Sequence, residues 1–305
     1  MHTRTLGRTE LKISEIGLGC ASFWGHTLFD ETEAVRLVHE AAAQGVTFFD
    51  TGASYSGGNA EPRLGRALAA MSSKNDLIIS TKAGTRIGRM GRLYKDFSPA
   101  WITQSVENSL GRLGLESLPL LHLHGPKICH LTDALLKTLE QLRAAGKVRH
   151  FSVNSFDEPV IEHLLTLPIF EAVMIDYNIL RPEREPLLEK LAANGMGILA
   201  GMAMAGRYYS PSLFKVRLVR DAWYLLRALK NHRTDIMRGR AFHFIENEPS
   251  FTGGQIALGF VLANPLVSCA VFGTTRLANL KEALAVCDTP LPADLLARLR
   301  AAQKS

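Results

Sequence analysis

Asp50, Tyr55, Lys82 and His124 place a carboxylate, a phenol, an ammonium and an imidazole at, or just beyond, the ends of three consecutive apolar runs, TFFD, DLIISTK and LPLLHLH. A lone charged residue in such a place is ordinarily a solvated terminus. Four different acid–base groups on consecutive run ends have a joint chemical logic. A phenol with a pKa of about 10 donates its proton poorly at neutral pH until its phenolate is stabilised. Bringing it near 7 takes roughly 4 kcal/mol, which an ammonium about 4 Å away supplies at an effective dielectric of ~20. Lys82 suits that task, and Asp50 is placed to keep the lysine charged and oriented. His124 can then hydrogen-bond a carbonyl oxygen of a substrate. Taken alone, Lys82 would also serve as a Schiff-base nucleophile, so a lyase or isomerase reading stays open.

These groups act together only if the chain gathers the run ends. Short apolar runs alternate with amphipathic helical patterns from about residue 15 to 286, the rhythm of parallel βα units. The runs cover 15–21, 47–50, 76–82, 118–124, 150–154, 172–177, 197–203 and 268–273. Eight units in 305 residues favour an α/β fold, a (β/α)8 TIM barrel forming a single domain over 1–305, with its site at the carboxyl ends of the strands. Asp30 with Glu33 forms a capping box and Gly45 a stop; Ser98-Pro99 opens another helix that Gly114 closes. Leu135, Leu139 and Leu142 make an apolar stripe ending at Gly146. The fragment RTLGRTELKI reads as a short N-terminal β-hairpin closing the barrel floor. A long loop after strand 7, 206–253, carries Tyr208, Tyr209, Phe214, Trp223, Tyr224, Phe242, Phe244 and Phe251, too aromatic for disorder and suited to folding over the barrel mouth.

Composition excludes several classes. With 47% hydrophobic residues the chain can bury a full core, yet no run approaches 18 apolar residues, and MHTRTLGRTELK lacks a signal-peptide pattern. The expectation is a cytoplasmic protein with no membrane association. Cys20, Cys129, Cys269 and Cys287 form no C-x-x-C pair, so they read as buried thiols, and no metal site is expected. The formal charge of +6 is concentrated in 207–243, where nine Lys/Arg face two acids. A solvated face or a small anion explains that cluster better than nucleic acid, for which no motif is present.

FFDTGASY, AEPRLGRAL, IISTK and LLHLHGP, followed by GKVRHFSVNSF and VFGTTRLANLKEAL, together resemble the aldo-keto reductase signatures over nearly the whole chain. The resemblance implies NADPH (or NADP in the reverse direction) laid across the barrel mouth, hydride transfer to a small-molecule carbonyl substrate, and Asp50, Tyr55, Lys82 and His124 as catalytic residues. It assigns the cofactor to Asn154, Ser155, Gly273, Thr274, Thr275, Arg276, Asn279 and Glu282, with Arg276 on the 2′-phosphate at a helix start. Phe23, Trp24, the segment 86–97 and the long loop would wall the substrate pocket. The sequence departs from the family pattern at the nicotinamide end. Asn154-Ser155 inverts the usual Ser-Asn pair, Met174 stands for a glutamine, Pro119 for an acid, and Gly201 for a stacking aromatic that Tyr177, Tyr208 or Tyr209 would have to replace. A second reading follows from those departures: a cofactor-binding regulatory subunit without turnover. Gly17-Leu18-Gly19-Cys20-Ala21-Ser22 imitates a dinucleotide turn but lacks the third glycine and an immediate helix, which argues against a Rossmann fold.

Overall fold

In the computed structural model, which describes residues 1–71, 76–214, 225–226, 228–230 and 232–304, each expected run contributes one short parallel strand. We number the strands β1 (Thr3–Thr5), β2 (Lys12–Ser14), β3 (Ile16–Gly19), β4 (Phe48–Asp50), β5 (Ile78–Ala83), β6 (Thr85–Ile87), β7 (Leu93–Lys95), β8 (Leu118–His124), β9 (Val148–Asn154), β10 (Phe170–Ile175), β11 (Gly197–Ala200) and β12 (Cys269–Phe272). β3, β4, β5, β8, β9, β10, β11 and β12 pair in that order and close on β3, making the expected (β/α)8 barrel.

Alternation along the strands divides the barrel by height. Phe48, Ile78, Leu120, Ala172, Leu199 and Cys269 pack together in its interior with Leu6 and Ile13. Two residues further along, the alternation turns Asp50, Ser80 and His122 to the same side as Phe48, Ile78 and Leu120, so the lower barrel is apolar and the upper barrel polar. Leu6 and Ile13 belong to the antiparallel hairpin β1–β2, which closes the floor. A Cβ on Gly7, at φ +50°, would lie 2.1 Å from the Gly197 backbone nitrogen, so only glycine lets this turn seat on β11.

The surrounding helices begin and end where the cap residues dictate. Asp30 accepts from the Glu33 amide to start α1 (Glu31–Ala43), with Gly45 at φ +88° just beyond its end. α2 spans Ala60–Ala69. Ser98 caps α3 (Pro99–Leu113), which Gly114 ends in the left-handed region. Thr132 caps α4 (Asp133–Ala144), whose Leu135, Leu139 and Leu142 are buried. α5 (Glu158–His163), α6 (Glu185–Ala193), α7 (Arg233–Gly239), α8 (Gly253–Leu262), α9 (Leu277–Leu284) and α10 (Ala293–Ala302) follow.

Three features differ from expectation. The segment after Lys82 is a second hairpin, β6–β7, turned at Gly88 and Gly91, where the sequence reading placed no strand. Cys129 is exposed on the 3-10 turn Ile128–His130, while Cys20, Cys269 and Cys287 are buried thiols. In the long loop, Tyr209 and Phe242 are buried in the core around the barrel, and Tyr208, Phe244 and Phe251 pack against it. The loop's aromatic content therefore anchors it. Trp223 and Tyr224, with Lys215, Arg217, Arg220 and Arg227, lie outside the described residues.

Candidate active site

Register carries the polar residues around the barrel one strand at a time: Gly19 pairs with Asp50, Asp50 with Ser80, Lys82 with His122, His124 with Asn154, and Asn154 with Met174. At the centre Lys82 Nζ donates to both Asp50 carboxylate oxygens, Oδ1 at 2.6 Å, and to the Thr51 carbonyl at 2.8 Å. Ser80 Oγ donates to Asp50 Oδ1 at 2.7 Å. Lys82 is 2% and Asp50 5% exposed, so both charges are nearly out of water, where such a pair is tolerated only with further hydrogen bonds such as these. Burial by itself would depress the Lys82 pKa, but the Asp50 carboxylate and the Tyr55 phenol oxygen together outweigh it and hold the ammonium above its ordinary value.

Tyr55 opens a 3-10 turn, Tyr55–Gly58, just after β4, with its ring 4.8 Å from Lys82 Nζ. The His124 ring meets it edge-on, 5.6 Å between centroids at 88°. The sequence-based expectation that Lys82 brings the phenol toward neutral pH is not what the site does. Burial raises the Tyr55 pKa above 10, and the Lys82 ammonium only opposes part of that rise. His124 is pushed the other way, to about 3, by burial and then by the Lys95 and Lys82 cations, so its imidazole is neutral. Its Nδ1 lies 3.1 Å from Thr85 Oγ1.

Beside this group lies a cavity of about 410 Å³ lined by Asp50, Tyr55, Phe23, Trp24, Asn154 and Gly273–Thr275, among others. Trp24 shows it little surface, being 1% exposed with its indole N–H donated to the Ala34 carbonyl at 3.2 Å. The Asn154 amide donates to the Met174 carbonyl at 3.4 Å. Ser155 does not line the cavity; its Oγ accepts from the Asp157 amide at 3.2 Å and so serves the following turn.

Beyond Thr275 the assigned residues leave the cavity edge. Arg276 is the exposed N-cap of α9, and its amide donates to Thr274 Oγ1 at 3.1 Å. Asn279 is exposed, and Glu282 accepts from Thr252 Oγ1 at 2.5 Å, tying α9 to the start of α8. None of Tyr177, Tyr208 and Tyr209 takes the stacking position. Tyr177 donates to Glu185 at 2.8 Å, Tyr208 stacks on His232 at 5.1 Å, and Tyr209 is fully buried. Gly201 and Met174 line that wall instead, together with Met202 and Phe156, which the sequence reading did not single out. No described residue of 206–253 lines the cavity, and neither do residues 86–97.

The reading also missed three polar neighbours. His122, wholly buried beneath the site, has Nδ1 2.9 Å from Ser152 Oγ and Nε2 3.7 Å from Asp50 Oδ1. Its signal was available, since it precedes His124 by two on the same strand face. Thr85 and Lys95 reach His124 across the β6–β7 hairpin, a contact that no spacing in the sequence reveals.

Among described residues no helix is long and apolar enough to cross a membrane. The chain is 28% identical to an uncharacterized oxidoreductase, YqkF of Bacillus subtilis, over 92% of this chain and 90% of that protein. It is 30% identical to L-galactose dehydrogenase of Arabidopsis thaliana over 67% of this chain and 66% of that one. In structure it is similar to an aldo-keto reductase from Bacillus halodurans in its holo form, with a TM-score of 0.83 and 25% identity over 99% of this chain and 96% of that one. A sequence profile described as the Aldo/keto reductase family matches residues 15–304, and with the barrel and the Asp50–Lys82 pair at its mouth in view, the chain belongs to that family of oxidoreductases.

Proposed function

We propose that this chain is a cytoplasmic enzyme that reduces an aldehyde or ketone to an alcohol with NADPH, and that Tyr55 delivers the proton. The observation that carries this reading is the buried Lys82–Asp50 pair lying under a phenol whose ring meets a neutral imidazole at a cavity edge. A bound reduced nicotinamide supplies the hydride that the carbonyl carbon accepts. Tyr55 is protonated at neutral pH and gives its proton to the carbonyl oxygen as charge builds there. Lys82 faces the phenolate left behind, and Asp50 keeps that ammonium charged and fixed. His124, neutral, hydrogen-bonds the same oxygen and sets the carbonyl's approach.

The residues present fit an extended dinucleotide. In support, Asn154 lines the cavity, where we assign the nicotinamide end, and Gly273, Thr274 and Thr275 line it toward the amide-rich start of α9, a kind of site that favours phosphate. A Cβ on Gly201 would crowd Met174 Cγ at 3.3 Å, so the glycine keeps that wall open beside the thioether. Ser155, Arg276, Asn279 and Glu282 stand outside the cavity lining, and we assign them to the cofactor on the family resemblance, with Arg276 contacting the 2′-phosphate. Phe23 and Trp24 wall the substrate side.

The wild-type protein is expected to consume NADPH in the presence of a small aldehyde from a screened panel. NADPH should bind about tenfold more tightly than NADH, about 1.4 kcal/mol, and Arg276→Ala should erase the difference. A second reading is supported by 25% identity over 92% of this chain to a putative voltage-gated potassium channel subunit beta of Schizosaccharomyces pombe. Tight NADPH binding with no carbonyl turnover across the panel would favour that regulatory role instead.

A further inference from the structure

The β6–β7 hairpin touches His124 at two points, and the chemistry of the contacts is directional. Lys95 Nζ donates to Thr85 Oγ1 at 3.0 Å and to the His124 carbonyl. An ammonium has no lone pair to accept with, so the Thr85 oxygen receives that bond and must send its single proton elsewhere. Among the described residues the acceptor within reach is His124 Nδ1 at 3.1 Å. A hydroxyl donating to Nδ1 requires that nitrogen to be bare, which in a neutral ring leaves the N–H on Nε2.

We propose that Lys95 and Thr85 are positioning residues that lock His124 in its Nε2–H form, so that the imidazole offers a donor and never a lone pair to the substrate oxygen. The inference rests on the carbonyl-reductase reading for its purpose, but not for its geometry. Thr85 is buried, while Lys95 reaches it from the exposed outer strand of the hairpin, so the ring is held by a solvent-facing cation through a buried hydroxyl. The arrangement also disfavours the imidazolium, since a proton on Nδ1 would take from the Thr85 hydroxyl the acceptor for its own proton. The downward push that Lys95 exerts on the His124 pKa is the electrostatic side of the same contact.

Long-range proton–nitrogen NMR on protein labelled at histidine reads the two ring nitrogens directly, with His124→Gln identifying the signals. The resting protein should show Nδ1 unprotonated and Nε2 protonated, in one form from pH 5 to 8. Thr85→Val, and separately Lys95→Met at an exposed position where folding is not at stake, should each give a mixture of tautomers and raise the pH at which His124 protonates. Thr85→Ser, which restores the hydroxyl, should restore the single form. An Nδ1–H ring in the wild type, or an unmixed Nε2–H ring in both Thr85→Val and Lys95→Met, would overturn the proposal. Either result stands whether or not the protein reduces a carbonyl, so it is separable from the failure of that reading.

Discussion

His122 and His124 sit two apart on β8, and both are held neutral by burial and by neighbouring cations, His122 well below its ordinary pKa and His124 at about 3. The unfolded chain, with histidines near 6.5, takes up protons that the folded protein refuses. Stability is therefore full above about pH 6.5 and falls as the pH drops toward 3. At pH 5 the His124 contribution alone amounts to a loss on the order of 2 kcal/mol. Urea midpoints at pH 7 and pH 5 should differ less in His124→Gln than in the wild type; an unchanged difference would mean that His124 titrates normally. Sequence was informative at this scale where strand position decides a residue's placement, as with Asp50, Lys82 and His124, which all reach the carboxyl ends of barrel strands. It was silent about Thr85, Lys95 and the satisfied hydroxyl of Ser155, whose roles depend on which partner the folded chain supplies. The strength of burial at Tyr55 was likewise invisible, and it reverses the expected direction of the phenol's shift.

At the scale of elements, strand interiors were legible because apolar runs repeat, whereas strand ends were not, because pairing partners decide them. β8 occupies the expected 118–124, but β9 begins at Val148, two residues early, and β11 stops at Ala200, where the chain turns away at Gly201. The β1–β2 hairpin was anticipated from its central glycine, and its tip gives a direct test. Gly7→Ala would drive a Cβ to 2.1 Å from the backbone of β11, while Gly146→Ala, also at positive φ, meets nothing within 4 Å. Thermal unfolding should show Gly146→Ala costing about 1–2 kcal/mol from strain alone, and Gly7→Ala costing more because the barrel floor must shift. Equal losses would mean that the hairpin does not plug the barrel. The β6–β7 hairpin escaped notice because TRIGRMGRLYK is too charged to read as strand, although its backbone pairs at Thr85, Arg86 and Ile87.

The whole molecule was the most legible level, since eight repeats of one unit leave few alternatives to a closed barrel, and the order of FFDTGASY, IISTK and LLHLHGP fixes where its mouth lies. The cavity wall of Met174, Gly201 and Met202 was less legible: Met174 and Gly201 stood out only as departures from a family pattern, and Met202 gave no signal until the barrel brought it beside them. Central to the proposed function is that proton delivery by Tyr55 limits carbonyl reduction while cofactor binding stands apart from it. The most direct measurement is single-turnover reduction of a good aldehyde by NADPH in wild-type protein and Tyr55→Phe, with NADPH affinity measured by fluorescence on both. Loss of general acid catalysis should slow the variant by about 10² to 10⁴ at nearly unchanged NADPH affinity. A Tyr55→Phe protein that reduces the aldehyde at the wild-type rate would contradict it and leave the barrel without its assigned proton donor.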